Sequence, residues 1–144
     1  MNAVIQNEQY REEYNKDFVS QWDDLIGWDG REEGERNFFG RMLNIHEVKS
    51  VADIACGTGY HAIKLAAAGF QVTATDGAEN MIRQTQANAK TMGVPLVEAS
   101  VVDWRDLDTK FGANRFDALV CLGNAFTHLS VSYTHLTLPT RTRV

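Results

Sequence analysis

The feature of this sequence that most restricts its fold is a short glycine turn between an apolar segment and a helix. Residues 51–55 have the sequence VADIA and predict a buried strand, and the next four residues, CGTG, form the turn. Glycine has no Cβ and adopts positive φ without strain, so the backbone at Gly57 and Gly59 can come close to a ligand. A helix is predicted over residues 61–68. The pattern is typical of a strand–turn–helix unit in an α/β protein.

Downstream of the turn, the sequence continues to alternate between apolar strands and helices. The pattern predicts strands over residues 70–75, 96–102 and 116–122 and a helix over residues 78–92. Strands that alternate with helices form parallel sheets with right-handed crossovers. We therefore predict an α/β fold with a Rossmann-like parallel sheet that stops after about the fourth strand.

The N-terminal third of the chain is rich in charge and predicts helices without strands. Tyr14, Phe18 and Trp22 recur every four residues on one helix face, and a second helix is predicted over residues 31–43. We expect this region to be a helical lid. The predicted units are the lid, the N-terminal half of a Rossmann-like cofactor-binding domain and a non-native tail, at residues 1–45, 46–130 and 131–144.

Composition and charge exclude several classes of protein. The chain has 144 residues, with 14 Lys and Arg against 19 Asp and Glu, which gives a formal charge of −5. Nucleic acid phosphates and anionic membrane surfaces both attract a surplus of Lys and Arg, which is lacking here. The N-terminus does not have the basic-then-apolar order of a signal peptide, and no apolar run is long enough to span a bilayer. Cys56 and Cys121 are too few for a disulfide framework or a zinc cluster. We predict a cytoplasmic protein without a metal.

Acidic residues lie near the carboxyl ends of three predicted strands, with Asp53 inside the first strand and Asp76 and Asp103 directly after the second and third. Ligands of open parallel sheets bind at the carboxyl ends of the strands, so these carboxylates are candidate ligand contacts. The glycine turn together with Ala62 also fits a nicotinamide-dependent oxidoreductase. A carboxylate inside the first strand would repel a pyrophosphate, however. S-adenosylmethionine suits the acids better, because it contains adenosine without phosphates and carries positive charge.

Each of these side chains has an expected contact with that cofactor. Asp53 would favour its ammonium group, Asp76 would accept from both ribose hydroxyls, and Asp103 would accept from the adenine amino group. Trp104 would lie beside the adenine ring, and Met81 would cover the other face. A structural alternative stays open in each case. For Asp76 it is an ordinary turn residue, and for Met81 and Trp104 it is a place in the core.

Two resemblances narrow the class of enzyme. Two segments of this chain, VADIACGTGYHAIKLAAAGF and VTATDGAENMI, resemble motifs of class I S-adenosylmethionine-dependent methyltransferases. The first resembles motif I, and the second resembles the acidic motif that follows it. From about Tyr10 to Leu129, the chain resembles glycine/sarcosine N-methyltransferases in YNKDFVSQWDDLIGWDGREEGERNFF, VVDWRDL and FDALVCLGNAFTHL. The resemblance implies methyl transfer to the amino group of glycine, sarcosine or dimethylglycine, on the route to betaine. The expected reaction is an in-line displacement without a covalent enzyme intermediate.

The resemblance also implies roles for individual residues. In the lid, Tyr14, Trp22 and Arg31 would contact the cofactor, and Arg31 would hold its carboxylate. Asn124 would reach the substrate, and His128 is a candidate for the base, which stays unassigned. The full set of expected cofactor contacts is Tyr14, Trp22, Arg31, Asp53, Ala55, Gly57, Gly59, Asp76, Met81, Asp103, Trp104 and Leu122.

The final segment, VSYTHLTLPTRTRV at residues 131–144, differs from the sequence before it. It contains no acidic residue and four threonines, and residues 1–130 alone have a charge of 12 − 19 = −7. The segment resembles the translation of one reading frame of a transposase-type sequencing adapter, so we expect it to be non-native. Methyltransferase sheets of this class usually contain further strands. We therefore expect an exposed sheet edge and little or no activity, with a non-catalytic cofactor-binding fragment as the alternative.

Overall fold

A computed structural model of the chain describes residues 36–122. Strands and helices alternate along this part of the chain, as the sequence predicts. The strands are β1 Ser50–Asp53, β2 Gln71–Asp76, β3 Glu98–Val101 and β4 Ala118–Val120. The helices are α1 Phe38–Ile45, α2 Tyr60–Ala67, α3 Glu79–Met92 and α4 Leu107–Phe111, with a 3₁₀ turn at Trp104–Asp106 before α4. No helix between residues 36 and 122 is both long enough and apolar enough to span a membrane.

The four strands form one parallel sheet in the order β3-β2-β1-β4. In the shared register, Val51 lies between Val72 of β2 and Ala118 of β4. The chain builds the sheet outward from β1 to β3 and then returns to the other side of β1. The strand order therefore reverses between β1 and β4, and open α/β sheets bind ligands in the crevice at the carboxyl ends of the strands beside such a reversal. The predicted Rossmann-like parallel sheet is confirmed.

Side chains of β1 alternate between the two faces of the sheet, and each face carries its own core. Val51 belongs to a cluster covered by α1, α2 and α3, whereas Ala52 belongs to a cluster covered by α4. The first cluster also contains Leu43 of α1. The predicted boundary between lid and sheet domain, at residues 45 and 46, therefore lies after a helix that packs on the sheet.

Strands β1, β3 and β4 are shorter than the apolar runs that predicted them, whereas β2 has the predicted length of 6 residues and is shifted along the chain by one. The run over residues 116–122 yields only Ala118–Val120, and Phe116 packs as a core side chain just before the strand. The predicted helix over residues 31–43 corresponds, in the part that the structure describes, to Phe38–Ile45.

The sequence did not predict the helical turn and α4 over residues 104–111. A side-chain oxygen of Asp103 accepts a hydrogen bond from the backbone N–H of Arg105 at 2.9 Å and so caps this segment. Trp104 and Leu107, three residues apart, are both buried against the sheet.

Candidate functional site

The glycine turn lies at the mouth of the crevice, and its two glycines have different structural roles. Gly57 has φ +58°, and among residues 36–122 a Cβ added there would meet no atom within 4 Å. Gly59 has φ +95°, and a Cβ there would lie 2.8 Å from Cγ2 of Thr85. Gly57 therefore borders open space that a ligand can occupy, whereas Gly59 allows the turn to pack tightly against α3.

Side chains from two other elements hold the turn. The Gly57 N–H donates to Oδ2 of Asp76 at 3.0 Å. The Thr85 hydroxyl donates to the Gly57 carbonyl at 2.8 Å, and Nδ2 of Asn88 donates to the Thr58 carbonyl at 2.9 Å. Sequence reasoning missed Thr85 and Asn88. Both lie about thirty residues after the turn, and no local pattern links them to it.

Asp76 ends β2 and links that strand to the glycine turn. Its Oδ2 accepts from Gly57, and its Oδ1 accepts from the backbone N–H of Ala78 at 2.9 Å. Asp76 is thus a turn-organising residue, and it places a carboxylate beside Gly57 at this edge of the sheet.

Asp53 is buried at the end of β1, with 3% of its surface exposed. Burial raises the pKa of this carboxyl to about 7, the Ala55 N–H opposes the rise, and the negative charge of Asp76 adds to it. The side chain is therefore protonated far more readily than an exposed aspartate. A positive group in the crevice would favour its charged form.

The two cysteines are close to these acids. Burial and the charges of Asp53 and Asp76 raise the pKa of the Cys56 thiol well above its usual value, and that of Cys121 to about 11. Both side chains are thiols at neutral pH, and neither is an activated nucleophile. Within residues 36–122, no group of three or more His, Cys, Asp or Glu side chains could hold a metal ion.

Asp103 and Trp104 follow β3 and have partners within the protein. The Asp103 carboxylate accepts from Nε and from the terminal nitrogen of Arg105 at 2.9 and 2.8 Å. The Trp104 indole N–H donates to the Ile54 carbonyl at 2.6 Å, and the ring is 9% exposed within the second core cluster. The structure therefore places Trp104 in the core, tied to the end of β1. The predicted contacts of these two side chains with an adenine stay predictions.

Some of the remaining predicted residues lie within residues 36–122, and the others lie outside this range. Met81 is buried in the first turn of α3, and Ala55 and Leu122 are half-buried after β1 and β4. The structure thus brings Asp53, Ala55, Gly57 and Asp76 to one edge of the sheet. The predicted residues outside the described part of the chain are Tyr14, Trp22, Arg31, Asn124 and His128.

Solved structures share this fold. Magnesium protoporphyrin IX methyltransferase from Synechocystis, crystallised with bound SAM, superposes with a TM-score of 0.68 at 20% identity, over 88% of this chain and 65% of that one. A methyltransferase from Clostridium acetobutylicum superposes with a TM-score of 0.56 at 20% identity, over 73% of this chain and 42% of that one. The fold is therefore that of S-adenosylmethionine-dependent methyltransferases. The chain belongs to the methyltransferase domain family, which matches residues 51–144. This membership decides against the oxidoreductase alternative.

Curated relatives extend the similarity into the N-terminal region. The glycine/sarcosine N-methyltransferase of Parasynechococcus marenigrum is 43% identical over 127 residues, which are 88% of this chain and 44% of the relative. The enzyme of the same name from Aphanothece halophytica is 42% identical over 126 residues, 88% of this chain and 47% of the relative. Glycine N-methyltransferase of Rattus norvegicus is 36% identical over 93 residues, 61% of this chain and 32% of the relative. The chain spans less than half the length of these relatives.

Proposed function

We propose that this chain is the cofactor-binding part of an S-adenosylmethionine-dependent N-methyltransferase that acts on glycine, sarcosine or dimethylglycine. The observation that carries the cofactor assignment is the edge of the sheet at which Gly57 borders open space beside the carboxylate of Asp76. The identity of 37–43% to glycine/sarcosine and glycine/sarcosine/dimethylglycine N-methyltransferases supports the amine class. A cytoplasmic location belongs to the same proposal.

The residues at the crevice fit the chemistry of this cofactor. Its ribose offers two hydroxyl donors, and the carboxylate of Asp76 beside Gly57 is an acceptor of the kind that such hydroxyls bond. Its ammonium and sulfonium groups are positive, which matches the negative potential that Asp53 and Asp76 create. The open side of Gly57 lets the ligand lie against the backbone. The chemistry that the cofactor supplies when bound is an electrophilic methyl group.

The proposed work of the protein is binding, orientation and exclusion of water. Asp76 would hold the ribose, and Asp53 would balance the charge of the ammonium. Met81 and Asp103 would enclose and hold the adenine, with Trp104 supporting Asp103 from the core. Tyr14, Trp22 and Arg31 would close the cofactor site from the lid. Asn124 and His128 remain proposed for the substrate side.

The decisive residue test is Asp76→Ala, measured by calorimetric titration of the purified chain with S-adenosylmethionine. Each charge-assisted hydrogen bond contributes about 1.5–3 kcal/mol, so loss of the carboxylate should weaken binding by at least about tenfold. Asp108→Ala is the matched control, because this exposed aspartate lies on α4, and its carboxylate accepts from the neighbouring N–H of Thr109. We expect its affinity to match that of the unaltered chain.

An unchanged affinity in Asp76→Ala would refute the ribose assignment. The amine class is tested separately, with a protein that contains this chain and has the full length of the relatives. That protein should release S-adenosylhomocysteine in the presence of glycine or sarcosine and should not do so with an unrelated amine. Cofactor binding without turnover of any of the three glycine species would instead favour the non-catalytic alternative.

A further inference from the structure

Two successive carbonyls of the glycine turn are bonded by one face of α3. The Gly57 carbonyl accepts from the Thr85 hydroxyl at 2.8 Å, and the Thr58 carbonyl accepts from Nδ2 of Asn88 at 2.9 Å. Thr85 and Asn88 are three residues apart in the helix and therefore lie on the same side of it. The helix thus holds the turn at two adjacent peptide groups.

Thr85 contacts the turn through its shape as well as its hydroxyl. It is fully buried, and a Cβ at Gly59 would lie 2.8 Å from its Cγ2 and 3.0 Å from its Oγ1. The same hydroxyl lies 3.6 Å from Sγ of Cys56. Valine would fill this buried position with the same shape. Packing alone therefore does not require a hydroxyl here. The hydroxyl of Thr85 supplies a hydrogen-bond donor for the Gly57 carbonyl.

The opposite side of the same peptide segment faces the proposed cofactor. The Gly57 N–H is bonded to Asp76, and its Cα borders open space. A hydrogen bond to the carbonyl of Gly57 restricts rotation of the backbone at this residue. A turn that is held in one conformation before binding loses less conformational entropy when the ligand arrives.

We propose that Thr85 is a positioning residue for the cofactor. Through its hydroxyl, and together with Asn88, it holds the glycine turn in the conformation that presents Gly57 and the bonded Asp76 to the ligand. Thr85 itself does not touch the cofactor. This inference rests on the proposed function, because the ligand that benefits is the proposed S-adenosylmethionine.

The test compares Thr85→Val, which removes the hydroxyl and keeps the shape, with Thr85→Ser, which keeps the hydroxyl. Calorimetry should show binding of S-adenosylmethionine about five- to tenfold weaker in Thr85→Val. Thr85→Ser should bind within about twofold of the unaltered chain. Thr75→Val is the matched control. Thr75 is also fully buried, and its hydroxyl has no hydrogen-bond partner within residues 36–122. Its affinity should not change.

Hydrogen exchange gives a second measurement that does not depend on the cofactor. In Thr85→Val, the amides of Gly57 and Gly59 should exchange several times faster, while the amides of β1 and β2 keep their protection. Should Thr85→Val fail to fold, Asn88→Leu removes the neighbouring donor and should accelerate exchange at the same turn amides.

The proposal is overturned if the amides of the turn exchange at the same rate in Thr85→Val as in the unaltered chain. It is also overturned if the exchange rate rises equally at all amides, because that result describes a loss of global stability. Equal affinities of Thr85→Val and the unaltered chain would overturn it as well. Failure of the unaltered chain to bind S-adenosylmethionine would refute the cofactor assignment, and the exchange measurement would still decide whether Thr85 positions the turn.

Discussion

At the scale of single residues, Gly57 and Gly59 are required for two different reasons, backbone conformation and packing. Both have positive φ, which glycine adopts most readily. Only Gly59 is also required by packing, because Thr85 occupies the place of a Cβ. The sequence predicts both glycines as backbone near a ligand and cannot separate the two roles, since the distinction depends on a side chain about twenty-five residues away.

Alanine substitutions should separate these roles. Gly57→Ala should lower the free energy of unfolding by about 1 kcal/mol, the cost of a left-handed conformation, and should strongly weaken cofactor binding, because its methyl group enters the proposed ligand space. Gly59→Ala should cost about 3 kcal/mol or more, because overlap with Thr85 adds to the same strain.

Chemical denaturation and calorimetry measure the two effects. Gly69→Ala is the control for strain alone, since Gly69 has φ +101° and an added Cβ would meet nothing within 4 Å. Its φ is close to the +95° of Gly59, so Gly69→Ala should show the loss due to strain alone, and Gly59→Ala should lose more stability than that. Equal stabilities of Gly57→Ala and Gly59→Ala would contradict the packing role of Gly59.

At the scale of elements, two segments attach to the carboxyl edge of the sheet through side chains that contact distant backbone. Helix α3 reaches the glycine turn through Thr85 and Asn88, and the segment before α4 reaches β1 through Trp104. The sequence predicted α3, as a helix over residues 78–92. It did not predict α4, which is short and depends on the cap at Asp103 and on burial of its apolar side chains.

Trp104→Phe should lower the free energy of unfolding by about 2–4 kcal/mol. The change leaves the Ile54 carbonyl without its indole donor and opens a cavity beside Phe116 and Leu107. Circular dichroism in a denaturant series measures the change without relying on the lost indole. Met92→Ala is the control, because this side chain is 55% exposed on α3, and it should change stability by less than about 0.5 kcal/mol. A Trp104→Phe variant as stable as the unaltered chain would show that the indole is not an anchor.

At the scale of the whole molecule, the parallel sheet brings acidic side chains from separate strands to one edge. Asp53 and Asp76 are 23 residues apart in the sequence, yet the charge of Asp76 raises the pKa of Asp53. Ionisation of Asp53 therefore costs more free energy in the folded protein than in the unfolded chain, and a cationic ligand would lower that cost. Unfolding removes that cost, so it appears in the pH dependence of stability.

The folded pKa of Asp53 is about 7, above its usual value of 3.8, so the folded state binds more protons between these limits. The contribution of Asp53 to stability is therefore fully present below about pH 4 and is lost as the pH rises to about 7. The loss amounts to roughly 4 kcal/mol by linkage.

Asp53→Asn should remove this dependence, because the amide stays neutral and keeps an acceptor for the Ala55 N–H. Free energies of unfolding measured from pH 4 to pH 8 should show the variant equal to the unaltered chain at low pH and more stable at high pH. Parallel pH profiles for the two proteins would show that Asp53 is not the titrating group.

The sequence by itself determined the alternation of strands and helices, the parallel sheet, the glycine turn and the acids at the strand ends. These features are local, because hydrophobic periodicity, glycine and strand-end residues act on their immediate neighbours. Only the tertiary structure decided that Gly59 accommodates Thr85, that Asp76 organises the turn and that Trp104 belongs to the core. Each of these depends on contacts between segments about twenty to fifty residues apart, whose partners become neighbours only when the sheet order β3-β2-β1-β4 brings the strand ends together.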